Sequence, residues 1–308
     1  MGRYVIRRLI QAIPVIVGAT FLIFCLVFAL PGDPIQALAG DKRANPVIVD
    51  VLREHYHLND PLWKQYLYYM GNLLTGDLGE TYRGRPVTEL LSERFPITLK
   101  LALTAFAFEV IIGVAAGIMT ALRKGKFLNN LVMISTLVLI SIPVFVLGSV
   151  LQLLLGVKMD LLPIAGTEDG WPTSYILPGF VLGGLSMAYI TRLTRTSLIE
   201  TMRSDYIRTA VAKGLPRRRV IGVHALRNSL IPVVTYLGID LGALMGGAII
   251  TERVFNLPGL GGQIAQSVYL REQTVVVGLV TLLVVIYLLA NLLVDLLYAV
   301  LDPRIRYE

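Results

Sequence analysis

The chain has 308 residues, 55% of them hydrophobic and 16% charged, with a mean hydropathy of +0.68 and a net charge of +7. Apolar residues this abundant, gathered into long runs instead of alternating, exclude an ordinary soluble domain and place the chain in a membrane. The sequence pI of about 9.5 does not point to nucleic acid, because the basic excess is confined to segments on one side of the apolar runs.

Six apolar runs follow one another, at about residues 9–30, 97–122, 128–155, 174–194, 228–250 and 274–301. Each approaches the roughly twenty residues that cross a hydrocarbon core of about 30 Å at 1.5 Å per residue, so the pattern predicts six transmembrane helices. The first run lies behind Arg3, Arg7 and Arg8. It is too long for a secretory signal and lacks a small-x-small cleavage site, which reads as an uncleaved helix over 1–30. Cys25, the single cysteine, excludes an internal disulfide and reads as packing.

Residues 31–96 are the one sizeable polar segment. It opens on "PGDP" and carries "LNDPLWKQYLYYMGNLL", where Leu62, Tyr66, Tyr69 and Leu73 recur at helical spacing after an Asn59–Pro61 start. The expectation is a small extracytoplasmic insertion with a short amphipathic helix, its aromatic residues forming an interfacial belt. Residues 97–303 then form a five-helix core, with a cytoplasmic loop at about 196–227 and a cytoplasmic tail at 304–308. Within the runs, Gly113 and Gly117, Gly179 and Gly183, and Gly238, Gly242 and Gly246 repeat at the spacing that permits close helix approach. Pro143 and Pro178 are expected to kink or end helical turns.

Orientation follows from charge. Arg3, Arg7 and Arg8, then Arg123, Lys124 and Lys126, then the basic residues from Arg192 to Arg227, and finally Arg304 and Arg306 all fall on one side, while acids predominate on the other. The positive-inside rule puts both termini in the cytoplasm. Two acids, Glu109 and Asp240, fall near the middle of spans. A charge at that depth costs at least about 2.5 kcal/mol on insertion scales, which makes both candidates for a wet translocation pathway or a partner contact, against the plainer reading of a packing carboxylate.

Several chemistries find no support. The only Gly-Lys pair, Gly125-Lys126, is followed by Phe127, so the phosphate-cradling Gly-x-x-x-x-Gly-Lys-Ser/Thr loop is missing. "PGLGG" at 258–262 reads as a turn between helices, and His55 and His57 lack a third ligand at metal-site spacing. No catalytic constellation is evident, so the chain is not expected to be an enzyme.

The stretch "SDYIRTAVAKGLPRRRVIGVHALRNSLIP", Ser204 to Pro232, carries its charge almost entirely as cations. Ser204 suits an N-cap, Asp205 the positive end of a helix, Gly214 its C-terminus and Pro216 the first turn of a second helix. A DNA-binding helix-turn-helix has this outline, but spans tether both ends here. A basic helix pair on anionic lipid is the alternative.

This stretch resembles the cytoplasmic coupling loop, the EAA motif, of ABC importer permeases. Aligned on Gly214, only one alanine, the glycine and Leu226 match the general pattern, yet "YIRTAVAKGL" and "HALRNSLIP" are similar to the form used by the peptide-uptake branch. "ALPGDP", "PLWKQYLYYMGNLLTGDLGE", "RFPITLKLAL", "TERVFNLPGLGG" and "NLLVDLLYAVLDPR" extend the resemblance over nearly the whole chain. It implies an all-α membrane protein with the type I ABC importer transmembrane fold, in a bacterial or archaeal plasma membrane. It further implies a permease subunit for dipeptides or oligopeptides. Its expected partners are a second homologous permease, two ATPase subunits that bind ATP and Mg, and an extracytoplasmic substrate-binding protein; no cofactor is expected in this chain. Tyr206, Arg208, Thr209, Ala210, Lys213, Gly214 and Leu215 would couple to an ATPase, the small residues sitting in its cleft. Nickel, glutathione and haem-type substrates remain open within the family. An ion-coupled secondary transporter, which would show repeated halves, and a membrane scaffold are the readings from other classes.

Overall fold

The computed structural model describes residues 2–28, 46–55, 59–81, 83–123 and 127–301. Among them every regular element is a helix: α1 Gly2–Phe28, α2 Pro46–His55, α3 Leu62–Leu74, α4 Val87–Leu122, α5 Phe127–Ser141 and α6 Val144–Lys158. These are followed by α7 Thr173–Met202, α8 Asp205–Ala212, α9 Arg217–Ser229, α10 Ile231–Val254, α11 Leu260–Tyr269 and α12 Gln273–Leu301. Leu9–Phe28, Val87–Leu122, Thr173–Met202 and Gln273–Leu292 are each long and apolar enough to cross a membrane. Two bent pairs pass the same test together, so the described residues hold six spans if each pair counts as one.

The departures from the sequence reading have identifiable causes. The run at 128–155 is not one rod: α5 and α6 meet at 109°, where Pro143, extended at φ −56 and ψ 140, withholds its N–H and forbids helical geometry at Ile142. Pro178 has no such effect. It sits buried near the start of α7, whose helix runs through it. Helix α4 begins at Val87, well before the apolar run, because its first turns are amphipathic, with Arg85 Nη2 bonded to Glu89 at 3.1 Å and Glu93 at 2.6 Å. "PGLGG" is a turn, as expected, and it opens α11. His57 lies outside the described residues, as does "PGDP", and the side chain of His55 is likewise not described.

The chain divides into two compact units, residues 1–98 with 258–292, and residues 99–257 with 293–306. In the first, Leu78, Val87, Leu90, Leu260, Ile264, Val275 and Leu279 form the core. The aromatic residues of α3 are packing groups as much as a belt. Tyr66 meets Phe21 and Phe24 edge-on and its hydroxyl donates to Val17 O, while Tyr69 donates to Thr281 Oγ1 at 2.8 Å. Trp63 and Tyr68 of this helix stay exposed. Thr98 Oγ1 accepts the buried Leu260 N–H at 2.8 Å, which satisfies one orphan donor at the start of α11.

The second unit is organised around α7, which packs on α4, α5, α6 and α10. Its seam with α4 is made by glycines from both helices. A Cβ at Gly179 or Gly183 would meet Thr104 or the Ala105 carbonyl, and one at Gly117 would meet Thr194 at 2.5 Å. Such close approach replaces hydrophobic drive, which lipid does not supply, with dispersion between backbones. Thr191 Oγ1 adds a cross-helix bond to Gly113 O at 3.2 Å.

Candidate functional site

Two features of the second unit carry candidate chemistry. The first is the hairpin of α8 and α9. Gly214 adopts φ +76, a conformation costly for any residue with a Cβ, so the chain reverses there and Pro216 starts the next helix from extended backbone. Ser204 precedes α8 as expected but makes no side-chain cap; its hydroxyl donates backwards to Thr201 O at 2.6 Å.

The hairpin has an inner and an outer face. Ile207 and Ala210 are buried with Leu198, Val220 and Ala225, and Leu215 packs against that group. Ala210 is therefore an inward residue, and its small size answers to this chain's own core. Tyr206, Arg208, Thr209, Val211 and Lys213 are exposed. Arg208 pairs loosely with Asp205 at 3.4 Å, an exposed pair worth little. Tyr206 accepts a bond from Asn228 Nδ2 at 2.9 Å, which ties α8 to the end of α9. A second bend of 46° then joins α9 to α10.

The other feature is the mid-span acid pair. Glu109 opens a π-helical turn, Glu109–Gly113, that interrupts α4. The widened turn re-aims its side chains relative to an α-helix. Glu109 is fully buried, Asp240 is 8% exposed, and the two carboxyl groups face each other. Ser186 Oγ of α7 donates to Asp240 Oδ1 at 3.0 Å. The rings of Tyr189 and Tyr236 lie 4.4 Å apart, and Tyr236 sits beside Ser186 and Asp240.

Sequence reasoning singled out both acids but missed the surrounding Ser186, Tyr189 and Tyr236. The spacing did hold a clue, because Tyr236 precedes Asp240 by one helical turn and Ser186 stands a turn from Tyr189 on a glycine-lined face. The π turn left no such mark. Gly246, the last member of the small-residue series, faces open space.

Residues 113–307 match the family described as "Binding-protein-dependent transport system inner membrane component", and residues 1–102 match its N-terminal companion. The chain is 38% identical to the dipeptide transport system permease protein DppB of Escherichia coli K12, over 100% of both chains. It is 40% identical to the glutathione transport system permease protein GsiC of Escherichia coli O6:H1, again over 100% of both. Among solved structures, a chain of the inward-facing MetNI methionine ABC transporter superposes with a TM-score of 0.59 at 20% identity, covering 70% of this chain and 97% of that one. The fold is that of a type I ABC importer transmembrane subunit, and the chain belongs to the binding-protein-dependent transport system inner membrane component family, as a permease of the peptide type.

Proposed function

We propose that this chain is one of two different membrane subunits of an ATP-driven importer of dipeptides or oligopeptides, with six spans and both termini in the cytoplasm. The full-length identity to a dipeptide permease carries this reading. The glutathione relative favours glutathione as a second reading. Glutathione is itself a short peptide, so both relatives bound the substrate class in the same way. Two cytoplasmic ATPase subunits bind ATP and Mg, a homologous permease forms the other half of the pathway, and an extracytoplasmic protein delivers the substrate to the segment 31–96. On this reading ATP binding and hydrolysis reside in those partner subunits.

The α8–α9 hairpin is the joint with an ATPase. Its position between α7 and α10 supports the assignment, since a short helix braced at both ends transmits rigid-body motion to both neighbours. Tyr206, Arg208, Thr209 and Lys213 contact the ATPase, whereas Ala210, Gly214 and Leu215 shape the hairpin. Lys213 and Arg208 meet acids there, setting register more than affinity. Glu109 and Asp240 act on the pathway from within the subunit, by fixing α10.

The test is reconstitution of the complete complex with its binding protein in vesicles. Uptake of labelled dialanine that requires ATP and the binding protein is the expected result, with glutathione a weak competitor. Uptake that persists without the ATPases overturns the importer reading, and saturable uptake of glutathione alone selects the second one.

A further inference from the structure

The surroundings of Glu109 pose a problem of charge. Both of its carboxyl oxygens are sealed from solvent without a hydrogen-bond partner, as is Asp240 Oδ2. Asp240 Oδ1 accepts only from Ser186, and a Cβ added at Gly183 would stand 3.3 Å from Glu109 Oε1, so the helices leave no slack on that side. Two carboxylates facing each other in a membrane carry a desolvation cost that one serine hydroxyl does not offset. A cationic side chain would be the ordinary remedy. The arginines of α7 are committed elsewhere, Arg192 Nε to Thr136 Oγ1 at 3.2 Å and Arg195 Nε to Asn129 Oδ1 at 3.0 Å. Among the described residues, the titratable groups facing this space besides the two acids are Tyr189 and Tyr236. Neither supplies positive charge.

We propose that Glu109 and Asp240 bind one monovalent cation between them, a proton or a sodium ion, which ties the π turn of α4 to α10 across α7. The shared chemistry is a single small positive charge held by hard oxygens, for which Glu109 Oε1 and Oε2, Asp240 Oδ2 and the Ser186 hydroxyl are available. A proton converts the pair into an acid donating to a carboxylate. A sodium ion uses the same oxygens as ligands. In either case the unpartnered atoms acquire a partner and the net negative charge of the site falls from two to one. The π turn has a role here, because it carries the Glu109 carboxyl towards Asp240 at the level where α7 is thinned by Gly183 and Gly184.

The inference rests on the buried pair and not on the identity of the substrate, so its test reads the site directly. Thermal unfolding of the purified complex is followed in sodium chloride and in choline chloride at constant ionic strength, alongside infrared difference spectra of wild type against Glu109→Gln and Asp240→Asn. Sodium occupancy predicts a midpoint that rises with sodium but not with choline and loses that dependence in either variant. Proton occupancy predicts no sodium effect and a protonated-carboxyl band in wild type that disappears in Glu109→Gln. A wild-type complex with neither a sodium-dependent midpoint nor a protonated-carboxyl band overturns the proposal even if no variant folds. Failure of dialanine uptake, by contrast, would count against the peptide reading and leave this result standing.

Discussion

Asn228 Nδ2 donates to the hydroxyl of Tyr206 at 2.9 Å, across the turn that separates α8 from the end of α9. The bond joins the exposed helix to the segment that bends into α10. It is exposed, so its net contribution to stability is at most about 1 kcal/mol. On the proposed coupling role its mechanical contribution is larger, because it fixes α8 against the segment that leads into α10. Tyr206→Phe and Asn228→Ala are expected to leave assembly and basal ATP hydrolysis intact and to lower uptake per ATP hydrolysed severalfold. Simultaneous measurement of both rates in vesicles checks this, and unchanged coupling in both variants rejects the link.

Ala210 and Val211 are neighbours in sequence with opposite surroundings, one buried in the hairpin core and the other 59% exposed. Ala210→Leu overpacks that core and should cost about 1–3 kcal/mol, seen as a lower unfolding midpoint of the isolated permease pair. Val211→Asp should leave that midpoint unchanged and weaken the ATPase contact. Retention of ATPase on an affinity column separates the two effects. Loss of ATPase from Ala210→Leu at an unaltered midpoint would restore Ala210 to the contact face.

The contrast shows what the sequence makes legible. Hydropathy located the apolar runs, and Gly214 and Pro216 placed the hairpin turn, because both signals are local. The orientation of Ala210 depends on Leu198 and Val220, which approach only after the chain has folded back. Glu109 sits at the start of a π turn, which hydrophobic periodicity does not announce. The bend at Pro143 was legible as a kink, whereas its 109° size was not.

The α4–α7 seam should be intolerant of bulk. A Cβ at Gly117 would lie 2.8 Å from the Thr191 carbonyl and 2.5 Å from Thr194 Cβ, with backbone on one side that cannot move aside. Gly117→Leu should therefore abolish stable folding, while Gly246→Leu, with open surroundings, should be recovered in near wild-type yield. Detergent-resistant monodisperse yield on size exclusion measures the difference. Comparable yields would show that the seam opens without cost.

Tyr69 provides a test of the first unit. Burial against Phe24 raises its hydroxyl pKa from 10.0 to about 12, with the bond to Thr281 opposing the shift in part. Up to pH 10 the phenol is neutral whether folded or unfolded. Between pH 10 and about 12 only the unfolded chain ionises, so stability is lost as pH rises through that window, by roughly 2–3 kcal/mol over about two units. Tyr69→Phe should lower stability near neutrality by the loss of one hydrogen bond, and its midpoint should then fall less steeply above pH 10 than that of wild type. Parallel slopes would place the hydroxyl in water.

Gly214 separates backbone strain from partner contact. Its φ of +76 penalises every residue with a Cβ, yet nothing lies within 4 Å of where that Cβ would stand. Gly214→Ala should consequently cost about 1 kcal/mol through the backbone alone, and Gly214→Asn less, because asparagine tolerates the left-handed region. Gly214→Trp pays a similar backbone cost in the free subunit. Any further loss appears only where another protein occupies the open space. If α8 and its turn seat in an ATPase, the tryptophan variant should bind that subunit at least tenfold more weakly than the alanine variant at matched unfolding midpoints. Equal binding of the two would mean that the turn points away from the ATPase, and the contact would then be restricted to the Tyr206–Lys213 face.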